Sequence, residues 1–168
     1  MLADLITSKT RLRLLVKFFT NVDNEGYLRG LAVEMNESTN AIRKELNNLS
    51  EAGIILRRGD EHKITYKANS QHPFYSLLQQ IVRKYVGIDT IVASVLERMG
   101  EVDRVWIAGS YARGIASDEI EVVVEGPNIN QEYLEQLVPK IEAEINKKIK
   151  FITTTAYQGY GFVVFEKE

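Results

Sequence analysis

The hydrophobic pattern of the chain changes from helical to strand-like spacing at Gly53, and this change restricts the N-terminal fold more than any other feature. Before Gly53, apolar residues recur at i, i+4 and i+7, which is the spacing of one helix face: Ile42, Leu46 and Leu49. Ser38 stands where an N-cap belongs, and Gly53 stands where a C-terminal cap belongs. After Gly53, the runs ILRR and KITYKAN flank a Gly-Asp turn. The pattern predicts a helix over 38–50 followed by a β-hairpin.

Two further helices are expected upstream. Thr7 or Ser8 can cap a helix through TSKTRLRLLVKFFTN, in which one stripe is apolar: Leu12, Leu15, Val16 and Phe19. VDNEG is typical of a turn, and YLRGLAVEM of a short helix with Leu28, Leu31 and Ala32 facing inward. Two short helices followed by a hairpin predict a winged helix-turn-helix, in which the second helix can enter the major groove of DNA.

Polar side chains cover the opposite face of the helix over 38–50, and they can bond base edges and phosphates. They are Ser38, Thr39, Asn40, Arg43, Lys44 and Asn47. The hairpin adds side chains placed to contact neighbouring phosphates, namely Arg57, Arg58, His62 and Lys63. A solvated helix face and a surface turn would have the same composition. The complete order of helix, turn, helix and hairpin favours binding of double-stranded DNA.

Residues 5–75 resemble the ArsR-like winged-helix domains of prokaryotic transcription regulators. The resemblance rests on SKTRLRLL, on YLRGLAVEMNESTNAIRKELNNLSEAGII and on ITYKANSQHPFYSLL. The last stretch places a wing strand and then Asn-x-x-His-Pro-aromatic before a helix. The resemblance implies a homodimer. A helix from Phe74 to Tyr85 is either the dimer contact, the connection to the second half, or an element packed on its own domain.

The charges of the two halves differ. Residues 1–70 carry 11 Lys/Arg against 9 Asp/Glu, whereas residues 71–168 carry 10 against 14. A mildly basic N-terminal half can lie along DNA if its charges cluster, and an acidic C-terminal half is a poor partner for it. The N-terminus has charges throughout and no small-residue cleavage site, and no apolar run reaches the roughly 20 residues that span a membrane. We therefore expect a cytoplasmic protein without a membrane partner.

Gly87 and Asp89 mark a boundary, after which helical and strand-like patterns alternate. IDTIVASVLERM predicts a helix, DRVWIAGS a strand that ends in Gly-Ser, and EIEVVVEG a second strand. An amphipathic helix over 130–147 follows, and then the strand-like runs KKIKFITTT and YGFVVFEK. This order predicts an α+β domain in which the first two strands pair antiparallel.

The stretch IAGSYARGIASDEIEVVVEG carries the candidate chemistry of this second domain. Gly109 lets backbone N–H groups approach a phosphate, and Ser110 adds a hydroxyl donor. Arg113 can neutralise phosphate charge, and Gly114 permits another tight turn. These four residues are the candidate nucleotide-binding or phosphate-binding set.

Glu119 and Glu121 lie two residues apart on a strand and therefore project from the same face. Adjacent carboxylates repel each other unless a divalent cation lies between them, so the pair is a candidate Mg²⁺ site and a candidate catalytic pair for phosphoryl transfer. Asp118 would face the other way.

Residues 88–166 resemble the minimal nucleotidyltransferase family through AGS, the loop YARGIASD and the acid-apolar repeat EIEV. The resemblance implies a nucleoside triphosphate, two metal ions and transfer of a nucleoside monophosphate onto a hydroxyl. That family has Asp at the first acid position and usually at the second, where this chain has Glu119 and Glu121. Its third acid belongs to a later strand, where KKIKFITTT offers only Lys150 or a neighbouring Thr. A lysine there would repel a metal ion.

The sequence thus predicts three parts: a winged helix-turn-helix over 1–72, a linker or dimerisation helix over 73–87, and a small nucleotidyltransferase-like α/β domain with a mixed sheet over 88–168. The predicted function is a homodimeric DNA-binding transcription regulator. Its second domain has lost catalysis and serves as a nucleotide-sensing or dimerisation module. The alternative is an active transferase that uses Mg²⁺ and a nucleoside triphosphate and is recruited by its winged helix. A third interpretation is a component of a toxin–antitoxin pair, since minimal transferases serve in such pairs.

Overall fold

A computed structural model of the protein describes residues 1–115 and 117–168. The fold is α+β, as predicted, and it divides into two compact units. The first unit is Met1–Val82 with a short segment that begins at Gly114, and the second is Arg83–Arg113 with Ser117–Glu168. None of the helices in the described ranges has the length and apolar character needed to cross a bilayer.

Helices dominate the first unit. Its elements are α1 (Leu2–Leu5), α2 (Lys9–Thr20), β1 (Glu25–Gly26), α3 (Leu28–Met35), α4 (Thr39–Glu51), β2 (Ile55–Gly59), β3 (Ile64–Ala68) and the start of α5 (Tyr75–Val86). Both predicted N-caps form, since Ser8 Oγ accepts a hydrogen bond from Arg11 N and Ser38 Oγ accepts one from Ala41 N, each at 3.1 Å. Gly53 follows α4 with a φ of +71°, as a left-handed C-terminal cap requires.

The core of the first unit lies between these helices and a three-stranded sheet of order β1-β3-β2, all antiparallel. Its fully buried side chains include Leu14, Phe18, Phe19, Ile42, Leu46 and Ile55. The turn predicted at VDNEG forms at Val22 and Asp23, but the prediction missed a strand at its end, because Glu25 and Gly26 pair with Lys67 and Tyr66 of β3. Two residues are too short to show a period, so only this long-range pairing creates the strand.

The second unit combines helices with a mixed sheet. Its elements are the end of α5, α6 (Ile88–Arg98), β4 (Gly100–Glu101), β5 (Arg104–Ala108), α7 (Gly109–Ala112), β6 (Glu119–Glu125), β7 (Asn128–Ile129), α8 (Gln131–Ile145), β8 (Lys148–Thr154) and β9 (Gly161–Glu166). The four-stranded sheet has the order β8-β6-β5-β9. β5 pairs antiparallel with β6, as predicted, and β6 pairs parallel with β8.

The two faces of this sheet differ in chemistry because side chains alternate along each strand. Ile120, Val122 and Val124 of β6 are fully buried, as are Val105 and Ile107 of β5. The opposite side, which we call the acid face, carries Glu119 and Glu121 of β6 and the residues paired with them on β8, Lys148 and Lys150. The prediction that Glu119 and Glu121 project from the same face of β6 is confirmed, and Val123 follows them on that face as a buried residue.

Candidate functional sites

The polar face of α4 is exposed to solvent along its length. Its exposed side chains are Ser38, Thr39, Asn40, Arg43, Lys44, Asn47 and Asn48. The opposite side of the helix packs Ile42, Leu46 and Leu49 into the core. The polar face therefore has the donors and acceptors that bond nucleic acid, on a helix that its apolar face holds in place.

Acidic residues next to this polar face are turned away from it by arginines of α2. Arg11 Nε donates to Glu45 Oε2 at 2.8 Å, and Ser8 Oγ donates to Glu45 Oε1 at 2.9 Å. Arg13 Nη1 donates to Glu37 Oε1 at 2.9 Å. The exposed side chains of Ser38–Asn48 are consequently neutral or cationic, which suits a polyanion.

Burial of the Glu45 carboxyl raises its pKa, but the hydrogen bonds from Arg11 and Ser8 and the charge of Arg11 outweigh that effect and lower the pKa below its usual range. A group whose pKa is lower in the folded state stabilises the fold above its unfolded pKa, about 4.3 for Glu. That stabilisation disappears as the pH falls through the folded pKa.

We expect Glu45→Gln to lower the free energy of unfolding by about 1–2 kcal/mol at pH 7, because two charge-assisted bonds weaken. The difference from the wild type should shrink between pH 5 and pH 3, where the wild-type carboxylate itself becomes protonated. Urea unfolding followed by circular dichroism across that range measures both effects. Glu51→Gln, at an exposed position of the same helix, is the control. Equal acid sensitivity of Glu45→Gln and the wild type would contradict the prediction.

Arg57 and Arg58 project from opposite faces of the hairpin formed by β2 and β3. Arg57 pairs with Tyr66 and Arg58 with Thr65, and successive strand residues project to opposite faces. At the tip, Asp60 Oδ1 accepts hydrogen bonds from the backbone N–H groups of His62 at 2.9 Å and Lys63 at 3.2 Å. These bonds lower the pKa of Asp60. Only one of the arginines can therefore contact a surface that lies against one side of the hairpin.

The Gly-Ser turn of the second unit lies directly beside one of the predicted acids. Gly109 has a φ of +62°, and a Cβ added to it would lie 2.8 Å from Glu121 Cδ and Oε1. The missing side chain at Gly109 therefore leaves room for the Glu121 carboxylate. The turn continues as the one-turn helix α7, which the sequence did not predict.

Of the remaining predicted phosphate ligands, Ser110 belongs to that turn, Arg113 follows α7 directly, and Gly114 groups with the other unit. Ser110 is exposed, and the Arg113 guanidinium carbon lies 5.1 Å from the ring centroid of Tyr160. Gly114 groups with the first unit, where an added Cβ would lie 2.5 Å from both the Lys17 carbonyl oxygen and Asn24 Nδ2. Gly109, Ser110 and Arg113 thus share the second unit, and Gly114 does not.

The acid face does not fit a two-metal site. Glu121 of β6 is paired in register with Lys150 of β8, and Glu119 with Lys148. Lys150 therefore stands on the same face and next to Glu121, where a third acid would be needed to complete a divalent-cation site. Within residues 1–115 and 117–168, no cluster of three or more His, Cys, Asp or Glu side chains is placed to hold a metal ion.

Sequence reasoning missed three residues that shape these surfaces. Arg11 and Arg13 were assigned only to a helix, although their i, i+2 spacing on α2 lets each reach a different acid. Glu125 is buried on the strand that carries the acid pair, where it accepts hydrogen bonds from Trp106 Nε1 and from Tyr157 N. No local pattern marks these pairings, because the partners are distant in sequence.

No protein-family model matches this chain, and no match was found among the curated proteins or the solved structures.

Proposed function

We propose that this protein is a DNA-binding transcription regulator. Its first unit acts as a winged helix-turn-helix, with α3 and α4 as the helix pair, α4 in the major groove and the β2–β3 hairpin as the wing. The observation that carries the proposal is the polar face of α4. Over Ser38–Asn48 its exposed side chains are free of acids, while arginines of α2 hold the neighbouring acids Glu37 and Glu45.

The second unit acts in this proposal as a nucleotidyltransferase-like module without catalysis. Two glutamates opposed by a lysine make a poor site for phosphoryl transfer, since that chemistry depends on positioned metal ions. The module then serves as a sensor for a nucleotide or as a dimerisation surface. The protein would act in the cytoplasm.

Fluorescence anisotropy with duplex DNA from immediately upstream of the coding sequence tests this function. The titration is run with non-specific competitor, and with and without Mg²⁺ and each nucleoside triphosphate. Competitor-resistant binding that shifts with one nucleotide supports a regulator with a sensor domain. Competitor-resistant binding that no nucleotide changes supports a structural or dimerisation role for that domain. Absence of specific binding would overturn the regulator proposal for that DNA.

One observation favours the alternative, which is a metal-dependent nucleotidyltransferase recruited by its winged helix. The same observation applies to a transferase that belongs to a toxin–antitoxin pair. Gly109 brings the Gly-Ser turn against the Glu121 carboxylate, as a transferase site would need. Glu121→Ala separates the two functions. It should abolish nucleotide transfer by an enzyme and leave the DNA affinity of a regulator unchanged.

A homodimer is part of the proposal, and α5 offers a surface for it. Phe74, Leu77 and Ile81 follow helical spacing and are 60%, 52% and 44% exposed, respectively. Large apolar side chains at such spacing are typical of a helix that packs against a partner. A second copy presenting the same stripe would bury both.

We expect the double variant Leu77→Glu/Ile81→Glu to be monomeric, because the added carboxylates would repel each other across a two-fold interface. Light scattering should then give the 19.1 kDa of one chain, whereas the wild type gives twice that mass. DNA affinity should fall by at least about tenfold, since two linked half-site contacts become one. Ser76→Glu, an exposed position of α5 off the stripe, is the control. A monomeric wild type at concentrations that saturate DNA would contradict the dimer.

A further inference from the structure

Within the polar face of α4, one side-chain pair is already ordered. Arg43 Nη1 donates a hydrogen bond to Asn40 Oδ1 at 3.1 Å, and both residues are exposed. The two residues are three apart, so they are neighbours on the helix surface. The pair lies in the first two turns of α4, which begins at Thr39.

We infer that Arg43 recognises a guanine in the DNA target and that Asn40 is the positioning residue that orients its guanidinium. This inference rests on the proposed function, since it concerns the same helix in the major groove. The N-terminal part of a recognition helix is the part that reaches base edges. Arg43 and Asn40 both lie in that part.

The chemistry of the pair favours guanine. A guanidinium carries five N–H donors, and Asn40 takes one of them. The remaining donors are enough to bond both guanine O6 and N7, which is the commonest specific contact in the major groove. Because the Asn40 bond restricts the Arg43 side chain before DNA arrives, less rotamer freedom is lost on binding.

Charge around the pair supports the same assignment. Arg43 has Lys44 and Asn47 as exposed neighbours on the face, and Glu45 is directed to Arg11 on the opposite side. Arg43 is therefore not neutralised by the neighbouring acid, and its guanidinium stays available to an acceptor on DNA.

Selection of bound duplexes from a randomised library, using the full-length chain, tests the inference. The wild type should enrich sites with one fixed guanine in each half-site. Arg43→Lys keeps the charge but not the planar fork, so the salt dependence of binding should persist. The preference for that guanine over other bases should fall by about 5- to 150-fold. Arg43→Gln should shift the preference toward adenine, which accepts a Gln side chain at N6 and N7.

Variants of Asn40 test whether this residue orients the Arg43 guanidinium or only contributes to the fold. Asn40→Ala should weaken the guanine preference several-fold, while Asn40→Asp keeps the oxygen that Arg43 uses and should restore the preference at a lower overall affinity. Both positions are exposed, so the fold should persist, and thermal unfolding checks this. If the wild type selects no sequence, the proposed DNA-binding function falls, and this inference with it. If the wild type selects a site but Arg43→Lys changes no base preference in it, the inference alone is overturned.

Discussion

Leu46→Ala should lower the free energy of unfolding of the first unit by about 2–5 kcal/mol. Leu46 is fully buried in the core of the first unit, on the side of α4 that faces away from solvent. Its truncation removes apolar contacts and leaves a cavity that the neighbours fill only in part. A domain is stable by only about 5–15 kcal/mol, so such a loss is a large share of the total.

The adjacent residue supplies the matched control. Asn47 is exposed on the polar face of the same helix, so Asn47→Ala should change the unfolding free energy by less than about 0.5 kcal/mol. It should instead weaken DNA binding, while the DNA affinity of folded Leu46→Ala should match the wild type. Urea unfolding by circular dichroism and DNA anisotropy at low temperature measure the two quantities. Equal stability losses in both variants would mean that the two faces of α4 are assigned incorrectly.

Local signals in the sequence were enough to predict α2, α3 and α4 of the first unit, whereas the short helix α1 (Leu2–Leu5) was not predicted. Ser8 and Ser38 each accept a backbone N–H three residues ahead, and Gly53 adopts a left-handed φ. Such caps depend on a few consecutive residues, so the sequence alone specifies them. The faces of α4 were also predictable, because helical periodicity fixes which side chains share a side.

Features that depend on distant partners could not be predicted. β1 exists only because Glu25 pairs with Lys67. The ion pairs of Arg11 and Arg13 with acids of other elements decide whether the surface beside α4 is acidic or not, and nothing in the local pattern assigns those partners. A register between strands is set by packing of the whole sheet, and a shift by one residue would reverse every side chain.

The candidate nucleotide site was predicted only in part for the same reason. The sequence indicated that Glu119 and Glu121 share a face, which follows from alternation alone and is confirmed. The sequence did not decide whether Lys150 or a neighbouring Thr lies opposite these two glutamates. The parallel pairing of β6 with β8 selects Lys150. The grouping of Gly114 with the first unit could not be inferred from a turn-forming dipeptide.

In both units, basic side chains next to acidic ones determine which ligand charge a surface can accept. In the first unit, arginines of α2 hold acids away from a surface that suits a polyanion. In the second unit, lysines of β8 stand in register with acids of β6, so the acid face carries both charge signs. A divalent cation would gain little attraction from such a face, since a fixed ammonium repels it.

Lys150→Asp should therefore create a divalent-cation site that the wild type lacks. The substitution removes the positive charge beside Glu121 and adds a third carboxylate on the same face, in register with Glu121 and near Glu119. Carboxylate oxygens are the ligands that Mg²⁺ and Mn²⁺ prefer. We expect the affinity for Mn²⁺ to rise at least about tenfold, which corresponds to about 1.4 kcal/mol.

Titration with Mn²⁺ followed by electron paramagnetic resonance measures this change directly, because the signal of the free ion falls as the ion binds. Lys140→Asp alters the net charge by the same amount at an exposed position on α8, so it controls for long-range attraction alone. Mn²⁺ binding by the wild type as tight as that of Lys150→Asp would show that Lys150 does not exclude the ion. The second unit would then have to be considered an active transferase. Equal weak binding by both Asp variants would show instead that Glu119 and Glu121 do not converge, and catalysis would be excluded for a geometric rather than an electrostatic reason.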